Sequence, residues 1–231
     1  MRTIGLIGGM TWHSTVDYYR FINEGVQKRL GGAHSAALLL LSVDFDPVEE
    51  LQGRGDWAAM GELMGEWARR LEAAGAEGLV ICANTMHRLA DDVSGAVRIP
   101  LIHIADATAA GVKNSGLKTV GLLGTRYTME MNFYRGRLAA KHGLNVLVPD
   151  EPGRTAVHDI IYKELGRGIV REEARRIYVS VIEDLVRRGA EGVILGCTEI
   201  PLLIKAENSP VPVFDTTALH AAAAVEFALS A

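Results

Sequence analysis

The sequence predicts an α/β protein of two pseudo-symmetric halves, each a short parallel sheet flanked by helices. Short apolar runs of strand length alternate with longer stretches of helical periodicity, the pattern of βα repeats. Each run stops at glycine or small polar residues, which punctuate a buried strand. The pattern then repeats. TVGLLGT at 119–125 echoes TIGLIGG at 3–9, GAEGVILGCTE at 189–199 echoes GAEGLVICANT at 75–85, and PVFDT at 212–216 echoes the run that begins at Pro100. The leading residues of these pairs lie 116, 114 and 112 residues apart, so both order and spacing are kept. An internal duplication of this kind divides the chain into an N-terminal half, 1–108, and a C-terminal half, 109–209. A last helix within 210–231 is expected to pack back on the first half. The active site is expected in the cleft between the halves, where strand C-termini gather ligands.

The elements follow in order. Residues 3–7 form a buried strand, and Ser14 or Thr15 caps a helix carrying Tyr18, Phe21, Ile22 and Val26 at helical spacing. Gly31-Gly32 ends it, and residues 36–43 make the second strand, broken by Asp44-Phe45-Asp46-Pro47. A polar segment from Gln52 to Trp57 leads into a helix that reaches Ala74. Residues 79–81 are the third strand and 82–87 its turn; a helix starts near Arg88, and residues 100–106 read as a fourth strand. The second half repeats this with a strand at 119–125, a helix, a strand at 144–148, a helix at 172–188 and the second GAEG unit. An alanine-rich helix from about Thr217 closes the chain.

Composition narrows the functional classes. The 231 residues are 48% hydrophobic and 23% charged, enough for a sizeable core. A formal charge of −4, with no basic run, argues against nucleic acid or an anionic membrane as partner. No apolar run reaches the roughly 18 residues that suggest a membrane span. The start, MRTIGLIGG, is a poor signal peptide. Two cysteines make neither a disulfide framework nor a zinc site, so reduced thiols in the cytoplasm and no metal are expected. The glycines of IGLIGGM lack the GxGxxG spacing of a dinucleotide fold.

The two GAEG units rank the cysteines. Cys197 lies eight residues after Gly189, whereas eight residues after Gly75 stands Ala83; Cys82 aligns with Gly196. Strand residues alternate between faces, so a shift of one turns the Cys82 side chain from the cleft unless the alternation breaks at the turn. Cys82 reads first as a small buried hydrophobe and second as a catalytic thiol. Cys197, in a Gly-Cys-Thr-Glu turn before a helix N-terminus, reads as the reactive thiol, with its pKa lowered by that helix end. Glu199 orients Thr198 and Cys197 or caps the following helix. His87 pairs with a thiol or a carboxylate, or faces solvent.

IGLIGGMTW (4–12), the NT of ANTMH (84–85), LLGTRYTM (122–129) and GCTE (196–199) resemble the aspartate/glutamate racemase family over essentially the whole chain. GGAHS, RGDW and CANTMH resemble most the broad-specificity aspartate/glutamate racemases of enteric bacteria. The resemblance implies two similar α/β domains, a homodimer, no cofactor, a small amino acid or related carboxylate as substrate, and two thiols on opposite sides of the substrate Cα. A thiolate removes the Cα proton and a thiol supplies one to the other face. Cys197 is one of these. The other falls at Ala83, where family members have cysteine and the similar relatives threonine; Cys82 turning in, or water, could serve that face in its place. By the same resemblance Asn84, Thr85 and Thr198 hold the α-carboxylate and amino group, Met10, Gln52 and Ala83 line the pocket, and Thr125 and Glu199 complete it from the second half. Strict aspartate racemases carry a lysine after the IYxxI segment, where this chain has Gly166. Two other readings stay open: a single-cysteine decarboxylase of arylmalonate-type diacids, and a catalytically silent amino-acid-binding relative.

Overall fold

The computed structural model describes residues 1–230. The chain divides into two compact units, Met1–Ile104 with the C-terminal segment from His220, and Ala105–Leu219. In the first unit β1 (Ile4–Gly8) leads to α1 (Trp12–Leu30), β2 (Leu38–Ser42), α2 (Phe45–Arg54), α3 (Trp57–Ala73) and β3 (Gly78–Ile81). A 3-10 turn, Thr85–Leu89, precedes α4 (Ala90–Ala96). The sheet is parallel with order β2-β1-β3. β1 and β3 are fully buried and apolar on both faces, as central strands of a parallel sheet must be.

α5 (Ile104–Asn114), all but its first residue in the second unit, is followed by β4 (Thr119–Gly124), α6 (Arg126–Glu130), α7 (Asn132–His142), β5 (Asn145–Leu147), α8 (Glu151–Lys163) and α9 (Glu172–Arg187). β6 (Gly192–Gly196), α10 (Ile200–Leu203), β7 (Val213–Asp215) and α11 (Thr216–Leu229) complete the chain. This sheet is parallel with order β5-β4-β6-β7. Asp106 binds α5 to α7: Arg137 donates to both carboxylate oxygens at 2.8 and 2.7 Å, and Lys141 and His142 add bonds of 2.7 and 2.8 Å. Burial alone would raise this carboxyl, but the three basic side chains hold it well below the usual carboxylate range.

The α/β class and the repeated sheet are as expected, and several local expectations are corrected. The first unit ends at residue 104, not 108. The segment that returns to it begins at His220 rather than 210, because β7 pairs in register with β6. The expected strand at 100–106 is a single parallel bridge, Leu79 with Leu101, after which the chain turns helical at Ile104. α1 begins at Trp12 with Thr11 at its cap; Ser14 and Thr15 lie inside the first turn and donate back to the Thr11 carbonyl. Residues 45–54 are helical although Pro47 follows a strand end, since proline fits a first helical turn and the Asp44 carboxylate accepts from the Asp46 amide. α8 starts the same way: Asp150 accepts from Gly153 N–H, with proline in the first turn. At both sites a capping aspartate is followed by a proline within the first turn, Asp44 by Pro47 and Asp150 by Pro152.

Candidate active site

The thiol site of the second unit grows from the paired ends of β4 and β6. Gly124 and Gly196 face each other in register. A Cβ on Gly124 would lie 2.7 Å from the Gly196 carbonyl, and one on Gly196 would lie 2.7 Å from the Leu123 carbonyl, so neither position has room for a side chain. The next residues on each strand are Thr125 and Cys197. Thr125 caps α6, its hydroxyl accepting from Thr128 N–H at 3.3 Å and lying 3.2 Å from the Thr128 hydroxyl.

Cys197 packs with Leu123, Val193, Leu195 and Tyr178. Its Sγ–H donates to Glu199 Oε2 at 2.9 Å, and Thr198 Oγ1–H donates to the same oxygen at 2.8 Å. Glu199 is itself buried, 4% exposed, and its side chain makes no helix cap. Its carboxylate therefore faces the thiol and the hydroxyl. This corrects the expected direction of the Cys197 pKa. Burial first, and then the Glu199 charge and hydrogen bond, push the thiol well above its ordinary value; the backbone amides of Glu199 and Thr198 pull it down and lose. Ligand-free Cys197 is thus a thiol with its proton aimed at a carboxylate. Tyr178 borders the same charges, and its hydroxyl, bonded to the Val157 carbonyl at 3.1 Å, is raised by burial and then by Cys197 and Glu199. Tyr178 and Thr128 carry no motif signal in the sequence, since both are ordinary buried helix positions.

In the first unit the strand alternation continues past the end of β3. Leu79, Ile81 and Ala83 pack on one face with Ile7, Met10, Val48, Met60 and Met86. Val80 and Cys82 pack on the other with Ile4, Leu6, Tyr18, Ile22 and Val26. Cys82 is fully buried among aliphatic and aromatic carbon, and desolvation drives its thiol far above the ordinary range. That environment suits packing and disfavours proton transfer. Met10, Gln52, Asn84 and Thr85 are all buried in this unit, with Met10 in the same cluster as Ala83. Gly9 makes the turn before Met10 at φ 94°, where the Val43 backbone leaves no space for a Cβ.

His87 is buried and bonds the backbone rather than facing solvent: Nδ1 lies 2.8 Å from the Ala83 carbonyl, and Ile104 N–H donates to Nε2 at 3.2 Å. Arg54 pairs with Glu50 on the exposed face of α2. Among the described residues no group of three or more His, Cys, Asp or Glu side chains could hold a metal, and no helix is long and apolar enough to cross a membrane.

Residues 7–224 match the profile of the Asp/Glu/hydantoin racemase family. The chain belongs to this family. A candidate Asp/Glu racemase from Yersinia pestis is 54% identical and superposes with a TM-score of 0.94 over 100% of both chains. An aspartate racemase homologue from Pyrococcus horikoshii OT3 is 35% identical, with a TM-score of 0.85 over 100% of both chains. The broad specificity amino-acid racemase RacX of Bacillus subtilis is 22% identical across 96% of each chain. Membership supports an isomerase acting on amino acids.

Proposed function

We propose that this member of the family is a cofactor-independent racemase of aspartate, glutamate or a wider set of amino acids, with Cys197 as its acid/base group. The observation that carries the reading is the buried Cys197–Glu199–Thr198 array at the end of β6. Racemisation breaks the Cα–H bond heterolytically, leaves the electron pair delocalised into the substrate carboxylate, and forms a new C–H bond on the opposite face. Cys197, resting as a thiol, is ready to deliver a proton. To accept one it first passes its own to Glu199, whose carboxylate already receives the S–H bond. Thr125 and Thr198 of the second unit, and Met10, Gln52, Asn84 and Thr85 of the first, are the proposed substrate-binding groups. The group serving the other face of Cα falls at Ala83, which carries no proton. Water is the proposed carrier there, since Cys82 packs on the other side of its sheet.

NMR in D2O with L-aspartate, L-glutamate and a panel of other amino acids tests the proposal. Cα deuteration with inversion is the expected result, and no exchange with any substrate overturns it. Deuteration without inversion would point to one working face. Malonate-type diacids in the same panel report a decarboxylase, and binding without exchange reports a silent relative. Ala83→Cys is expected to raise the inversion rate by about tenfold or more, as a positioned acid/base group does; an unchanged rate counts against a weakened two-base site.

The free thiols fit a reducing cytoplasm, which is the proposed location. A homodimer is proposed as well: Trp12, Val16 and Tyr19 of α1 are more than half exposed, apolar surface of the kind a second copy covers. Sedimentation velocity should give a dimer, and a monomer at all concentrations overturns that assignment.

A further inference from the structure

We propose that His87 is a positioning residue, a two-ended clamp that fixes the Ala83–Asn84–Thr85 turn for substrate carboxylate binding. This rests on the reading above, in which Asn84 and Thr85 bind that carboxylate. The imidazole is 2% exposed, and both its nitrogens are used on backbone groups. A backbone amide can only donate, so the bond from Ile104 N–H assigns the lone pair to Nε2 and the proton to Nδ1. Nδ1–H then donates to the Ala83 carbonyl. The ring thereby joins Ala83, the second residue after β3, to Ile104, the first residue of α5. The backbone closes the same turn from inside, His87 N–H donating to the Asn84 carbonyl at 3.1 Å.

Neighbouring rings hold the imidazole in place. His103 lies 4.8 Å and His220 5.4 Å away, centroid to centroid. His220 is itself fixed as a neutral ring, donating from Nε2 to the Ile102 carbonyl at 2.6 Å and accepting from the Tyr18 hydroxyl at 2.8 Å. The repeat in the second unit is built differently. Position 201, which matches 87, is a proline in the first turn of α10, and the turn there is tied by Glu199 instead. His87 is therefore no relic of the duplicated core; it is particular to the turn that lacks an acid/base side chain. The bond to the Ala83 carbonyl also polarises the Ala83–Asn84 peptide, which strengthens the Asn84 N–H as a donor.

Two near-isosteric substitutions separate the two ends of the clamp. His87→Asn places an amide nitrogen near Nδ1 and keeps the bond to Ala83. His87→Gln places its oxygen near Nε2, keeps the bond from Ile104 and loses the one to Ala83. In the full chain, His87→Gln is expected to raise KM for Cα exchange about tenfold, the loss of one well-placed hydrogen bond, with a smaller change in kcat. His87→Asn should stay within about threefold of wild type on the same scale. Equal effects, or the reverse order, overturn the proposal. Backbone 1H–15N spectra give a readout that needs no turnover: the Asn84 amide should move upfield in His87→Gln and hold in His87→Asn. Imidazole 15N shifts of the wild-type protein decide the tautomer, and a proton on Nε2 of His87 sinks the clamp even if neither variant folds. If the wild-type protein exchanges no amino acid, the racemase reading fails while the amide and tautomer results still judge the clamp.

Discussion

Cys197→Ser is expected to abolish Cα hydrogen exchange, lowering the rate by about 10²- to 10⁴-fold while the fold survives. The range is what a positioned general acid or base contributes. Serine keeps the size and the hydrogen bond to Glu199, so packing with Leu123, Val193 and Leu195 changes little. What it removes is an ionisable proton, since a hydroxyl gives one up far less readily than a thiol even when that thiol is raised by burial and by Glu199. Retained exchange in Cys197→Ser, with an unshifted Tm, would take Cys197 out of the chemistry. Glu199→Gln probes the partner. Removing the carboxylate removes the charge and the acceptor that favour the S–H form, so the Cys197 pKa should fall toward its ordinary value. A small thiol reagent should then react faster with Cys197 at neutral pH, whereas Cα exchange should slow because the thiol has lost the group that takes its proton. Faster alkylation together with faster exchange would show that Glu199 merely suppresses the thiolate.

The duplicated architecture was legible in the sequence because buried parallel strands leave short apolar runs, and two matched sets of them fix each other's boundaries. It was legible for the same reason that Ala83, not Cys82, matches Cys197. The structure bears on that point in each unit separately: Ala83 shares a face with Leu79 and Ile81, and Cys197 with Val193 and Leu195. Less legible were the features set by what a residue meets in space. The fold-back of Glu199 onto Cys197 reverses the direction that a helix N-terminus alone would give the thiol pKa. The run at 100–106 has strand composition, yet only Leu101 bridges to β3, and Ile104 N–H is taken by His87 instead of a strand partner. α2 was hidden because Asp44-Phe45-Asp46-Pro47 reads as a strand break, although Asp44 caps a first helical turn there.

Acidification should destabilise the protein through His220 before its carboxylates titrate. His220 is fully buried, and desolvation lowers its pKa from 6.5 to about 4, against a smaller opposite effect of its bond to the Ile102 carbonyl. In the unfolded chain the same ring titrates near 6.5. Between those values the unfolded chain binds a proton that the native chain does not, so lowering the pH favours unfolding. The stabilisation is complete above about 6.5, is lost progressively as the pH falls, and is gone below about 4. The shift corresponds to roughly 3 kcal/mol, a large share of the stability of an ordinary domain. Protonating Nδ1 would also force the bond it accepts from Tyr18 to reverse, at one of the contacts anchoring the C-terminal segment to α1. Urea unfolding at several pH values from 7 to 4 measures this, with His220→Leu as the comparison. The variant should start lower at pH 7, because the Tyr18 hydroxyl and the Ile102 carbonyl lose their partner, and should then show a flatter pH dependence. Parallel curves for the two proteins would mean that His220 does not set the acid limit of the fold.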